Sequence, residues 1–172
     1  MKIQLLPEND ENSSLFAEKI LYLQFAGVPQ WSIMKVEDQE HIKNKQYALA
    51  MRYIANATEM LKKAGKDGKY FKDSKYVSSA SGIAYKGVLV AVDAWLELKE
   101  VEFPEDKDRK TISFYNLEIG KRDKKLLRDL KVAYDTLHLS GYYDGTLSCG
   151  TINDGFAAAN SIINRIKPVG VA

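Results

Sequence analysis

The sequence predicts an all-α protein, an antiparallel up-and-down helical bundle. Three observations lead there. Tyr76–Lys99 reads as a helix that is apolar around most of its circumference. Three further segments carry apolar residues at three- and four-residue spacing. Outside the first forty residues, no stretch shows the alternation of a half-buried strand.

Ala80, Ala84, Gly87, Ala91 and Ala94 share a narrow arc of the Tyr76–Lys99 helix, flanked by Val77, Val88, Val92 and Trp95. Ser79, Lys86, Asp93, Glu97 and Glu100 form its polar stripe. Small residues admit a neighbouring backbone, and Trp95 fills the wider space near the end. Such a helix belongs at the centre of a bundle.

Residues 1–37 are expected to form an N-terminal packing segment, and 38–168 the bundle domain. Ser13 or Ser14 is a candidate N-cap for a helix over LFAEKILYLQFA, which Gly27 would end before Pro29. ILYLQF is also rich in strand-favouring residues and could pair with WSIMKV as a hairpin; the helix is the favoured reading. Phe16, Leu23, Phe25 and Trp31 are expected to pack on the bundle or on a second subunit.

From Asp38, a helix carries Tyr47, Met51, Ile54, Thr58 and Leu61 on one face, with Gly65 as its stop. Residues 65–75 (GKDGKYFKDSK) read as a connector without the GxxxxGK[ST] spacing of a phosphate loop. Glu100–Lys110 is a charged loop broken by Pro104. A short helix follows over Ile112–Ile119. Asp123–Leu139 forms another, with Leu126, Leu130, Ala133 and Leu137 inward; Gly141 ends it and YYDG turns. The last helix spans about Ser148–Ile166, its core row being Ile152, Phe156, Ala159, Ile163 and Ile166, before Pro168.

The totals exclude several function classes. With 172 residues the chain can bury a sizeable core. A net charge of +2 gives no whole-protein reason to bind nucleic acid or membrane. Cys149 is the one cysteine, so an internal disulfide or thiolate metal cluster is excluded. The longest apolar runs are broken by Lys86 and Asp93, and the first residues lack the apolar core of a secretory signal. A cytoplasmic location is expected, with no cofactor, metal or membrane partner.

The pair YALAMRYIANATEMLKKA and YVSSASGIAYKGVLVAVDAWLELK resembles HEPN-type bundles. FYNLEI at Phe114–Ile119 and AYDTLHLSGYYDG at Ala133–Gly145 are similar to segments of an uncharacterised bacterial family within or near that group. The resemblance covers roughly residues 43–166. It implies a bundle that often dimerises, with relatives that include RNA-cleaving toxins of toxin–antitoxin pairs and non-catalytic partners of nucleotidyltransferases. The ribonuclease members carry Arg, four to six residues, then His. Here no arginine precedes His41, and nine residues separate Arg128 from His138. No catalytic residue carries over.

Local chemistry offers four candidates. His138, Tyr142, Tyr143 and Asp144 could form a polar corner for acid–base work or a polar ligand; the simpler account is a helix end and its capping turn. Tyr85 and Tyr134 could project into a pocket beside His138, although a bundle tyrosine usually packs. Lys121, Lys124, Arg128 and Lys131 form a basic strip that could meet phosphates, interrupted by Asp123 and Asp129, for which a solvated face is simpler. Cys149 opens the last helix, where the dipole favours a thiolate, but no base is identifiable. The leading expectation is a non-catalytic binding protein, a homodimer or bound to a protein partner. The alternative is a HEPN-type nucleotide- or RNA-binding or processing protein.

Overall fold

The computed structural model describes residues 10–27, 30–104 and 109–169; the side chains of 10–16 and 30–34, including Phe16 and Trp31, lie outside that description. Six α-helices dominate: α1 (Asp10–Phe25), α2 (Gln30–Lys62), α3 (Ser74–Leu98), α4 (Ile112–Gly120), α5 (Lys124–Ala133) and α6 (Cys149–Ile163). The all-α bundle predicted from apolar spacing is the fold observed.

Helix α3 is the axis. Val77, Ala80, Ala84, Val88, Ala91 and Val92 are fully buried, and Trp95 retains 7% of its exposure. The small residues set how closely α2 approaches. A Cβ at Gly87 would stand 3.0 Å from Tyr53 Cβ and 3.2 Å from the Ala50 carbonyl oxygen. Ala50 and Ala57 on α2 are buried there too. Leu126, Leu130, Leu137, Ile162, Ile163 and Ile166 close the same core from α5, its continuation, α6 and the 3-10 turn Asn164–Ile166 after it.

Side-chain caps fix where helices start. Asp73, Thr111, Asp123 and Ser148 each accept from a backbone N–H in the first turn of α3, α4, α5 and α6. Helix α3 ends with Glu100 at φ +56°, where Glu100 N–H donates to the Glu97 carbonyl and Val101 N–H to that of Leu96. This is the bond pattern of a left-handed helix stop, a position that glycine ordinarily fills.

The structure corrects several boundaries. Helix α1 begins at Asp10, so Ser13 and Ser14 lie inside it rather than capping it. WSIMKV is helical, not a hairpin strand: α2 starts at Gln30 and runs unbroken through position 38. Helix propensity summed over a long segment overrides a short run of β-formers. The 65–75 connector contains a small hairpin, β1 (Lys66–Asp67) against β2 (Tyr70–Phe71). It is tied to the start of α6 by Phe71 N–H on the Leu147 carbonyl at 2.8 Å and Cys149 N–H on that of Lys69 at 3.0 Å. Phe71 thereby caps a satellite core with Ala64, Val77 and Ile152.

The largest departure follows α5. The helix does not end at Gly141; it widens into a π-helical segment, Tyr134–Tyr143, so Tyr142 and Tyr143 are helical rather than part of a turn. Asp144 N–H donates to the Leu139 carbonyl, five residues back, at 3.0 Å. Two close approaches hold this segment. A Cβ at Gly141 would lie 2.3 Å from Ser81 Oγ, and one at Gly155 would lie 2.5 Å from Thr136 Oγ1. Gly141 thus acts as a packing residue against α3.

A groove of stacked rings between α3 and the π-helical segment

The π-helical segment places Tyr134, His138, Tyr142 and Tyr143 beside Tyr85 of α3. In a helix closed by five-residue bonds, the neighbours four and five positions on lie at the next level. His138 therefore meets both Tyr142 (ring centroids 6.2 Å apart, planes 8° from parallel) and Tyr143 (5.1 Å, edge to face). Its other neighbours are Tyr85, stacked at 4.7 Å, and Tyr134 at 5.1 Å. Tyr85 and Tyr134 meet edge to face. Ring pairs at these separations attract beyond the area they bury, roughly 0.5–1.5 kcal/mol each.

Gly82, Tyr85, Lys86, Leu89, His138 and Tyr142 line an open groove of about 330 Å³. On α3 these residues are spaced i, i+3, i+4 and i+7, one face of the helix. Gly82 lets the Tyr142 ring lie against bare backbone, 3.0 Å from where a Cβ would be. Tyr142 and Tyr143 keep 49% and 69% of their exposure.

Burial shifts the titration of two groups here. Desolvation holds the His138 imidazole below its ordinary value, favouring the neutral ring. Desolvation, reinforced by Tyr134, pushes the Tyr85 hydroxyl up to about 12. Asp144 is exposed, and among the described residues no side-chain hydrogen bond joins it to His138. The corner of His138, Tyr142, Tyr143 and Asp144 is thus an aromatic cluster with Tyr85 and Tyr134, from which the carboxylate stands apart.

The basic strip is split between elements. Lys121 follows α4 and pairs with Glu118 at 2.6 Å, whereas Lys124, Arg128 and Lys131 belong to α5. Hydrogen bonds from Lys121 and Arg122 hold the Glu118 carboxyl below its ordinary value. Arg128 lies 3.8 Å from Asp129, whose other oxygen accepts from Ser161. Cys149 is half-buried in the first turn of α6.

Sequence reasoning placed Asp93 and Glu97 on the polar stripe of α3 but missed the partners of Asp93. Asp93 Oδ1 accepts from Tyr115 Oη at 2.9 Å and Lys110 Nζ at 2.8 Å. Burial first, and then the Asp93 charge, drives the Tyr115 hydroxyl well above its ordinary range. Asp93 and Glu97 line a cavity of about 240 Å³ with Phe103, Lys110 and Phe114. Tyr115 sits 22 positions from Asp93, and no local pattern links them. Among the described residues, no group of three or more His, Cys, Asp or Glu gathers closely enough to hold a metal ion.

Residues 45–168 match the model of a family described as a domain of unknown function, DUF5618. The chain belongs to that family. The matched region contains every residue of the aromatic groove and begins within α2, leaving α1 and residues 30–44 outside it. The chain is also similar to a solved protein of unknown function from Dyadobacter fermentans. The two share 34% identity and a TM-score of 0.64 over 72% of this chain and 94% of that one. A search of the curated proteins finds no match. Among the described residues no helix is long and apolar enough to cross a membrane.

Proposed function

We propose that this protein is a non-catalytic helical bundle that works by binding, with the aromatic groove as its ligand surface and α1 as its contact with a second copy of the chain. The observation that carries the reading is the five-ring cluster. It offers ring faces around a neutral imidazole rather than an acid–base pair held in register, which general acid–base chemistry requires. Tyrosine supplies large, rigid contact area with a polar tip, the chemistry of recognition surfaces.

Helix α1 supports the second half of the reading. Tyr22 and Phe25 keep 72% and 84% of their exposure, and Leu21 is exposed beside them. Leu23 is half-buried, whereas Phe25 is exposed. Of the two covers expected from the sequence, a second copy is the one proposed for Phe25. The HEPN-type alternative, nucleotide or RNA binding through the basic strip, draws less support: one of its four cations is engaged by Glu118 and stands apart from α5.

The test is native mass spectrometry of the full chain purified gently from its own host, beside a Tyr22→Ser/Phe25→Ser variant. A homodimer that the double variant dissociates supports the α1 contact. A retained small molecule that Tyr142→Ser releases supports the groove. Turnover of that molecule, lost in His138→Ala at unchanged melting temperature, would replace the non-catalytic reading with an enzymatic one.

A further inference from the structure

We infer that the groove between α3 and the π-helical segment takes a planar aromatic ligand carrying one anionic group, with Lys86 as the residue that selects the charge. This deepens, and rests on, the reading of the groove as a binding surface. The ring geometry argues for planarity. Tyr85, His138 and Tyr142 form a near-parallel row, stacked pair by pair with planes 24° and 8° apart, and the Tyr142 ring at its half-exposed end rests on the Gly82 backbone. A flat ring can continue such a row, stacked at its exposed end or edge to face along it, which a puckered one forfeits. At about 330 Å³ the groove matches the size of a one- or two-ring ligand.

Ring faces alone would serve a cation equally well, through attraction to their quadrupoles. Lys86 decides the sign. It is the one formally charged residue among the six that line the groove, and no carboxylate accompanies it. Among the described residues it makes no ion pair, and it is exposed. An ammonium group at the mouth of an apolar groove repels a cationic ligand and meets an anionic one. The neutral state of His138 leaves that choice to the lysine.

The experiment follows the ring signals of Tyr85, His138 and Tyr142 by NMR during titration of the full chain with three probes. These are 2-naphthoate (planar, anionic), 2-naphthylmethylammonium (planar, cationic) and cyclohexanecarboxylate (puckered, anionic). The expected result is saturable shifts of those rings by 2-naphthoate, with affinity about tenfold above either other probe. Lys86→Gln, an exposed substitution that leaves the core intact, is expected to erase the preference over the cationic probe. Equal affinity for all three probes would overturn the ligand class while leaving the groove a binding surface. Failure of 2-naphthoate to move the groove rings would also overturn it; the binding reading itself stands or falls on the mass-spectrometric test.

Discussion

At the scale of single residues, three side chains sit where their chemistry has measurable consequences. Trp95 is nearly enclosed, with Lys99 Nζ 5.8 Å from its ring. Trp95→Ala is expected to cost roughly 3–5 kcal/mol in chemical denaturation, because the bundle cannot collapse into so large a void. Glu100 occupies a left-handed backbone position. Glu100→Gly relieves about 1–2 kcal/mol of strain, against the loss of an exposed pair with Lys35 worth about 0–1 kcal/mol. The variant is expected to unfold at higher denaturant concentration than wild type, with Glu100→Gln reporting the pair alone. His138 has its charged form disfavoured on folding. Below pH 6.5 the unfolded chain therefore binds more protons, and stability present above 6.5 falls as pH drops toward the folded value. Thermal melts of wild type and His138→Gln between pH 5 and 7 should diverge in slope there, with wild type the steeper.

At the scale of elements, the π-helical segment depends on its glycine contacts. Gly141→Ala drives a methyl into Ser81, whose Oγ and Cβ lie 2.3 and 2.6 Å from the new carbon. A loss of about 1–3 kcal/mol is expected, the ordinary cost of overpacking. The distances separate two explanations. Ser81→Ala removes Oγ but not Cβ, so it should not rescue Gly141→Ala; Ser81→Gly should rescue it in part. Alone, Ser81→Ala is expected to be neutral or stabilising, because the fully buried hydroxyl has no hydrogen-bond partner. Equilibrium denaturation of the two double variants measures this directly. Loss of the His138 ring contacts in the NMR spectrum of Gly141→Ala would tie the groove to the same packing.

At the scale of the molecule, one carboxylate ties α2 to the chain that follows α6. Glu40 is buried on α2; its Oε1 accepts from Val169 N–H at 2.9 Å and its Oε2 lies 3.2 Å from Lys43 Nζ. Glu40→Ala is expected to release the C-terminal residues after α6, seen as faster amide exchange at Val169 than in wild type. The bond is half-buried and the freed Val169 N–H can turn to water, so the loss is expected to be about 0.5–1.5 kcal/mol. Alkaline titration probes the whole core. Tyr85 holds its proton to about pH 12 in the folded state, so its contribution is complete below pH 10 and fades between 10 and 12.

Much of this was legible in the sequence. The repeats of Ala80, Ala84, Gly87 and Ala91, of Leu126 and Leu130, and of Ile152 and Ile163 report helix faces, because a helix places every third or fourth residue on one side. Asp123 and Ser148 marked helix starts because unpaired first-turn N–H groups need an acceptor. The residues of the aromatic cluster were also legible, as a histidine amid tyrosines. Their arrangement was not. Whether a helix widens after Ala133 depends on how near Gly141 can come to Ser81, and those positions are sixty residues apart in the chain. The partnership of Asp93 with Tyr115 and Lys110, and the clasp of Glu40 on Val169, likewise join positions that no local pattern connects. On α2 the row read from the sequence was turned too far, for Met51 and Thr58 are exposed while Ala50, Ile54 and Ala57 are buried. Elsewhere the sequence by itself determined which faces are buried, since periodicity is local; tertiary structure alone decided which side chains meet, since contact is a property of the packed chain.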